Sequence, residues 1–479
     1  MGKTLYEKVF DSRVIREVTP GQFQVLADRH LLNEVSSPQA FAALRERGLT
    51  VAYPRLTFGT SDHSISTQGD PEECDEKTAA IQIATMRENS AQSNIRYFDP
   101  RQGEHGIIHV IAPERGLVHP GMLVVCGDSH TSTYGAFGAL AFGIGTTQVR
   151  DVLATQTMLA ERLRVRRIDI VGRLAVGVYA KDVALYMIHR LGAKGGIGYA
   201  YEFGGNVIEQ FSMEERMTLC NLAVEGGARC GYVNPDSTTY AYLQGREFAP
   251  SADQFTRSIQ AWQAVRSDAD ASYDDRVVLR AEEIRPMVTW GVSPDQSIAV
   301  DDKIPSVAEA VRQNLGAFQE TLDFMGMRPG QPVIGTRIDV AFIGSCTNAR
   351  LSDFEAVAAQ LRGGSFHVAE HVKALMVPGS REVRDAVIQR GLDQIFIDAG
   401  FEFRDTGCSL CCGMNADRLQ GKQTCASSSN RNFKGRQGSP EGRTILMSPV
   451  MVAAAAIAGE VTDARRLFGI HDPSIGLAR

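Results

Sequence analysis

RIDVAFIGS (337–345), SDFEAVAAQL (352–361), VKALMVPG (372–379) and SREVRDAVIQRG (380–391) follow one another in a single stretch of the chain. The first and third are short apolar runs ending at glycine or just before a polar turn, the pattern of strands buried on both faces. The second and fourth repeat their apolar residues every three or four positions, the pattern of amphipathic helices. Strand, helix, strand, helix predicts a parallel-sheet α/β domain, because parallel neighbours need a long crossover between them. Ser352 with Glu355 three residues on makes a capping-box signature just after the strand that delivers Cys346. Cys346 is therefore expected where a strand's carboxyl end meets a helix N-terminus, the usual ligand crevice of open α/β sheets. By the same logic Ser37 and Pro38 fit the cap and first position of a helix PQAFAALRER, with Gln39 in its first turn.

Upstream the texture is different but still α/β. A section rich in histidine-containing strands and glycine loops ends near a helical stretch at 146–163, and a middle section opens with the strand-like RRIDIVGRL and the helix KDVALYMIHRLG. At 479 residues the chain is too long for one ordinary core, and the texture changes suggest three domains, 1–163, 164–295 and 296–479. The most apolar segment, MVAAAAIA at 451–458, is too short to span a membrane and reads as a buried helix. The opening MGKTLYEKVF carries no apolar leader or transit pattern, so a cytoplasmic protein is expected. A formal net charge of -6 gives no electrostatic case for nucleic acid, though a local basic pocket could still hold a carboxylate substrate.

Nine cysteines, an odd number with no secretory signal, argue for reduced thiols or metal ligands rather than a disulfide framework. Cys346 lies in GSCTN; Cys408 and Cys411 form C-x-x-C in TGCSLCCG. That pair alone is compatible with a redox disulfide, half a zinc site or two ligands of an iron-sulfur cluster. A zinc site would need Cys412 or Cys425 as a further ligand, and neither gives a second C-x-x-C. Cys74, Cys126, Cys220, Cys230 and Cys425 read as small buried residues.

GSCTN, TGCSLC and SSNRNFKGRQG together resemble the aconitase superfamily. The likeness runs through nearly the whole chain: KTLYEKVFD, DRHLLNEVSSPQAF, DHS at 62–64, GIIHV at 106–110, CGDSHTSTYGAFGALAFGIGT at 126–146, VTWG at 288–291 and GRTILMSPVMVAAAA. Within the family it is similar to the large subunits of the two-subunit isopropylmalate isomerases. The resemblance implies three α/β/α layered domains around a central 4Fe-4S cluster, without the fourth, swivel domain. It implies Cys346, Cys408 and Cys411 as cluster ligands, one iron being left open to substrate.

The resemblance further implies three active-site pairs, Asp62 with His63, His109 with Asp128, and His130 with Glu202, and a carboxylate beside an imidazole raises the imidazole's pKa so that it can act as proton donor. It implies Asn430 as a cluster-adjacent amide, Arg431 and Arg436 as carboxylate-binding arginines, and Gln39 as a further substrate contact. His30, His105, His119, His189, His367, His371 and His471 read as structural. The activity implied is a hydro-lyase converting 2-isopropylmalate to 3-isopropylmalate through isopropylmaleate. CSLCCGMN stands where a common bacterial form reads CSMCLAMN, which keeps related substrates such as citraconate, methylmalate or homoaconitate in play. An iron-sulfur regulator binding RNA is a reading of another class, disfavoured by the acidic balance. In single-chain aconitases the base that removes the carbon-bound proton sits on the fourth domain, and few residues follow GRTILMSP here. The expected partner is a small subunit carrying that domain and base, and the expected ligand a small dicarboxylate hydroxy acid.

Overall fold

The computed structural model describes residues 2–74, 76–310 and 315–471. The chain forms two compact units, residues 1–171 with 194–279, and residues 172–193 with 280–479. Each of the three segments expected from the sequence holds one parallel-type sheet. Residues 172–193 group with the second unit because helix Ala180–Leu191, buried from Ala180 to Ile188, packs on the hairpin Met287–Thr289 and Ser297–Ala299.

The first unit contains strands β1 (Arg29–Leu32), β2 (Thr57–Thr60), β3 (Arg96–Phe98), β4 (Leu123–Cys126) and β5 (Leu140–Gly143). They pair in parallel in the order β3-β2-β1-β4-β5. The chain lays β2 and β3 to one side of β1, then returns to the other side with β4, so the carboxyl ends of β1 and β4 flank a topological switch point. Four wholly buried residues, LVVC, make up β4, as expected for a strand covered on both faces. The same unit holds β6 (Arg164–Val171), β7 (Tyr199–Gly204), β8 (Cys230–Val233) and β9 (Asp275–Arg280) in the order β8-β7-β6-β9. The expected helix at 146–163 is a helix only over Thr146–Thr155. Left-handed Gln156 ends it, and Thr157–Glu161 is a strand of a small antiparallel sheet.

In the second unit β10 (Val340–Ile343), β11 (Lys373–Met376), β12 (Glu402–Phe403), β13 (Thr424–Ser427) and β14 (Arg443–Leu446) are all parallel, in the order β12-β11-β10-β13-β14. This is the same winding as the first sheet, with its switch point between β10 and β13. Val340, Phe342, Leu375, Val377, Leu410, Leu419 and Cys425 form its core. Full burial of a side chain such as Phe342 is worth about 1.5–3 kcal/mol. The expected alternation of 337–391 is present, with one shift: the helix is Leu351–Leu361, capped by Arg350 and Asp353, not by Ser352 and Glu355. Ser352 is already inside the first turn. Likewise the helix bearing Gln39 starts at Ser37, after an uncapped Ser36. The alanine-rich segment is the buried helix Pro449–Ala458. Among the described residues no helix is long and apolar enough to cross a membrane.

Candidate active site

In the first unit the loops after β1, β2 and β4 meet at the carboxyl edge of the sheet. Asp128, two residues past β4, is the hub. Its Oδ1 accepts from the His130 amide at 2.7 Å and lies 3.0 Å from His109 Nε2, and its Oδ2 lies 3.4 Å from His63 Nε2. Burial works against a charge on Asp128, but His109, His130 and His63 outweigh it and hold the carboxyl well below the usual range. His63 Nδ1 is 2.5 Å from Asp62 Oδ1, and Asp62 Oδ2 accepts from the Ile108 amide at 2.9 Å. His109 Nδ1 lies 2.9 Å from the Tyr134 hydroxyl. Of the three imidazoles, His63 is the accessible one, with 16% of its side chain exposed against 2% for His109 and 4% for His130.

Two local features hold this arrangement. Glu34, past the end of β1 and fully buried, accepts from three successive amides, Asp62 at 3.0 Å, His63 at 2.7 Å and Ser64 at 2.6 Å. Burial and the Asp62 charge push its pKa up, against the pull of His63 and those amides. Asp128 also caps the 3-10 segment Ser129–Phe137, where Gly135 is required because a Cβ there would stand 1.8 Å from the Gly231 carbonyl oxygen.

The structure leaves one expected pair apart. His130 is not paired with Glu202. Its Nε2 lies 2.9 Å from Glu225 Oε1, and Glu225 follows helix Met213–Leu222, which packs on the Ser129–Phe137 segment. Glu202, on β7, has both oxygens committed elsewhere. Oε1 receives Arg167 at 2.6 Å, Asn234 at 2.7 Å and Tyr273 at 2.7 Å; Oε2 receives Ser267 at 2.7 Å and Tyr232 at 2.9 Å. Five donors saturate the carboxylate, which makes Glu202 a structural anchor. Gln39 lies exposed in its helix's first turn. Glu34, Tyr134 and Glu225 were not singled out from sequence. Glu34 lies inside the string DRHLLNEVSSPQAF, whereas no local motif marks Glu225.

In the second unit the switch-point loops carry the cysteines. Cys346 follows β10 through Ser345, whose φ of +77° is a conformation few L-residues adopt. Cys408 precedes and Cys411 ends a 3-10 turn in which Ser409 also has positive φ, +46°, and the Cys411 amide donates to the Cys408 carbonyl at 2.9 Å. All three cysteines are buried and free of disulfides; Cys412 is partly exposed. Asn430, past β13, bridges two of them: its Nδ2 donates to Cys346 Sγ at 3.2 Å, and its Oδ1 is 3.9 Å from Cys411 Sγ. Ser345 Oγ lies 3.3 Å and Arg436 Nη2 3.5 Å from Cys411 Sγ. Arg431 follows Asn430 directly and is partly exposed. Strained backbone at Ser345 and Ser409, beside the thiols, marks a place where geometry is kept for something other than stability. Buried thiols receiving N–H donors are a donor set that suits an iron-sulfur cluster, whose sulfurs are tuned by such hydrogen bonds.

A family model described as "Aconitase family (aconitate hydratase)" matches residues 7–459. Proteins named "3-isopropylmalate dehydratase large subunit" are similar over nearly their whole length. That of a Thermus thermophilus strain is 56% identical over 470 residues, 98% of this chain and 99% of the relative. That of Sorangium cellulosum is 54% identical over 471 residues, 98% and 100% of the two chains. That of a Synechococcus species is 56% identical over 466 residues, 97% and 99%.

Proposed function

We propose, because this chain belongs to the aconitase family, that it is the cluster-bearing large subunit of a 3-isopropylmalate dehydratase. It is a hydro-lyase that converts 2-isopropylmalate to 3-isopropylmalate through isopropylmaleate, in leucine biosynthesis. The observation that carries the reading is the Asn430 amide set between the sulfurs of Cys346 and Cys411 at the switch point of a parallel sheet. The three parallel-type sheets support a division into family domains 1–163, 164–295 and 296–479.

Cys346, Cys408 and Cys411 would hold a 4Fe-4S cluster, which would supply a Lewis acid for the departing hydroxyl. The chain's own residues supply the rest of the polar chemistry. His63, the exposed imidazole, is the proton carrier for the leaving oxygen. Asp62 at its Nδ1 fixes the ring so that Nε2 is the nitrogen that exchanges the proton, and ionised Asp128 stabilises the imidazolium. His109 and His130 keep Asp128 in place and charged, with Tyr134 and Glu225 orienting the two rings. Arg431 and Arg436 bind the carboxylates of the malate core, Arg being suited to bidentate contact. The name "large subunit" carried by the relatives supports a small-subunit partner, which would bring the swivel domain and the base for the carbon-bound proton.

Anaerobic purification followed by iron and sulfide analysis tests the cluster. Four iron and four inorganic sulfide per chain, with a three-iron paramagnetic signal after mild oxidation, are expected. A colourless protein with stoichiometric zinc would refute the reading.

A further inference from the structure

Lys181 stands where two general tendencies oppose it. It is the second residue of helix Ala180–Leu191, where the helix dipole repels a cation, and it is 1% exposed, where an ammonium loses its hydration. Its neighbour Asp182 is occupied elsewhere, accepting from the amides of Tyr179 and Met287, each at 2.8 Å. A residue that breaks two local rules is where function is to be sought.

The Lys181 ammonium donates to the Ser428 carbonyl at 2.6 Å and to the Ser429 carbonyl. These two peptide units lead directly into Asn430 and Arg431. Ser428 is tied in turn to the strand leading to Cys346: its amide donates to the Phe342 carbonyl at 3.0 Å, and its Oγ accepts from the Gly344 amide at 3.0 Å. Burial pulls the Lys181 pKa down to about 7, against the raising influence of Asp353, Cys346, Asp182 and Cys411. One buried amine thus braces the turn that aims the Asn430 amide and, through Ser428, the strand end that leads to Cys346.

We infer that Lys181 is a positioning residue for the iron-sulfur site, fixing the 428–429 peptide units behind Asn430. The inference rests on the cluster reading above. Three thiolates and a cluster concentrate negative charge in a desolvated place, and the Asn430 amide donor held there favours both retention of the cluster and its reduced form.

The test compares wild type with Lys181→Met and Lys181→Gln, each reconstituted anaerobically with iron and sulfide. Three readouts are taken: apoprotein melting, the rate of cluster loss to a ferrous chelator, and the cluster's reduction potential. The apoprotein of Lys181→Met is expected to melt at or above the wild-type temperature, since an apolar side chain replaces a buried amine. Its cluster is expected to be lost at least tenfold faster, and its potential to be more negative. Lys181→Gln, which keeps donors, should fall between wild type and Lys181→Met in potential and lose its cluster more slowly than Lys181→Met. Cluster-loss rates within twofold of wild type and an unchanged potential would overturn the inference while leaving the cluster reading intact. Failure of both variants to fold as apoproteins would also overturn it, by making the lysine a packing residue. A wild-type chain that takes up no cluster would overturn both readings, and is seen before any variant is compared.

Discussion

His130 Nε2 lies 2.9 Å from Glu225 Oε1, while Glu202 has its two oxygens filled by five donors from Arg167, Tyr232, Asn234, Ser267 and Tyr273. The two glutamates therefore answer to mutation in opposite ways. Glu225→Gln should reduce kcat on the order of a hundredfold, as loss of general acid-base support does, with little change in melting temperature. Glu202→Gln should leave buried donors facing an amide and cost about 3 kcal/mol of stability, with kcat per folded molecule largely kept. Steady-state kinetics and denaturant unfolding on both variants separate the two roles; a stable, inactive Glu202→Gln would return Glu202 to the catalytic machinery.

Each of Cys346, Cys408 and Cys411 is one of only three protein anchors in the proposed site, so replacement of any of them by Ser should abolish cluster assembly. Cys412 is partly exposed, and Cys412→Ser should assemble a cluster normally. Iron content and visible absorption after reconstitution read the result. Loss of the cluster in Cys412→Ser with retention in Cys411→Ser would reverse the ligand assignment.

How much of this was legible beforehand follows from how local each signal is. The α/β winding of 337–391 was readable because its strands are buried on both faces and its helices on one. The place of Cys346 at a strand's carboxyl end was readable from the local pattern, whereas the ligand trio and Asn430 were implied only by the resemblance of GSCTN, TGCSLC and SSNRNFKGRQG to a family. The helix cap was misplaced because Asp353 lies three residues from Arg350 as Glu355 does from Ser352, and only the backbone decides which frame is used. Glu225 was invisible because it reaches His130 by the packing of helix Met213–Leu222 on the Ser129–Phe137 segment, a contact between residues 95 positions apart. Lys181 was hidden for the same reason: its partners are 247 and 248 residues away, and in sequence it is one more lysine at the start of a helix.

His30, on β1, is fully buried, and burial lowers its pKa from 6.5 to about 3. Between those values the unfolded chain takes up a proton that the native ring refuses. The neutral ring's contribution is therefore complete above the unfolded value and is lost as pH falls toward 3. From pH 6.5 down to pH 5 the loss is about 2 kcal/mol, at 1.36 kcal/mol per pH unit. His30→Leu should flatten the fall in unfolding free energy between pH 8 and pH 5 by that amount. Parallel pH profiles for variant and wild type would show that His30 is not the group responsible.

The central claim is that this chain supplies the cluster and the proton-carrying imidazoles of a hydro-lyase and depends on a partner for the base. It is tested most directly by following isopropylmaleate formation by ultraviolet absorbance with the anaerobically reconstituted chain, first alone and then with a 3-isopropylmalate dehydratase small subunit. The account predicts almost no turnover by the lone chain with an intact cluster, and turnover restored in a saturable way as the small subunit is added, with closure against water strengthening the polar contacts inside. Robust turnover by the lone chain, or none with a saturating small subunit and a full cluster, would contradict it.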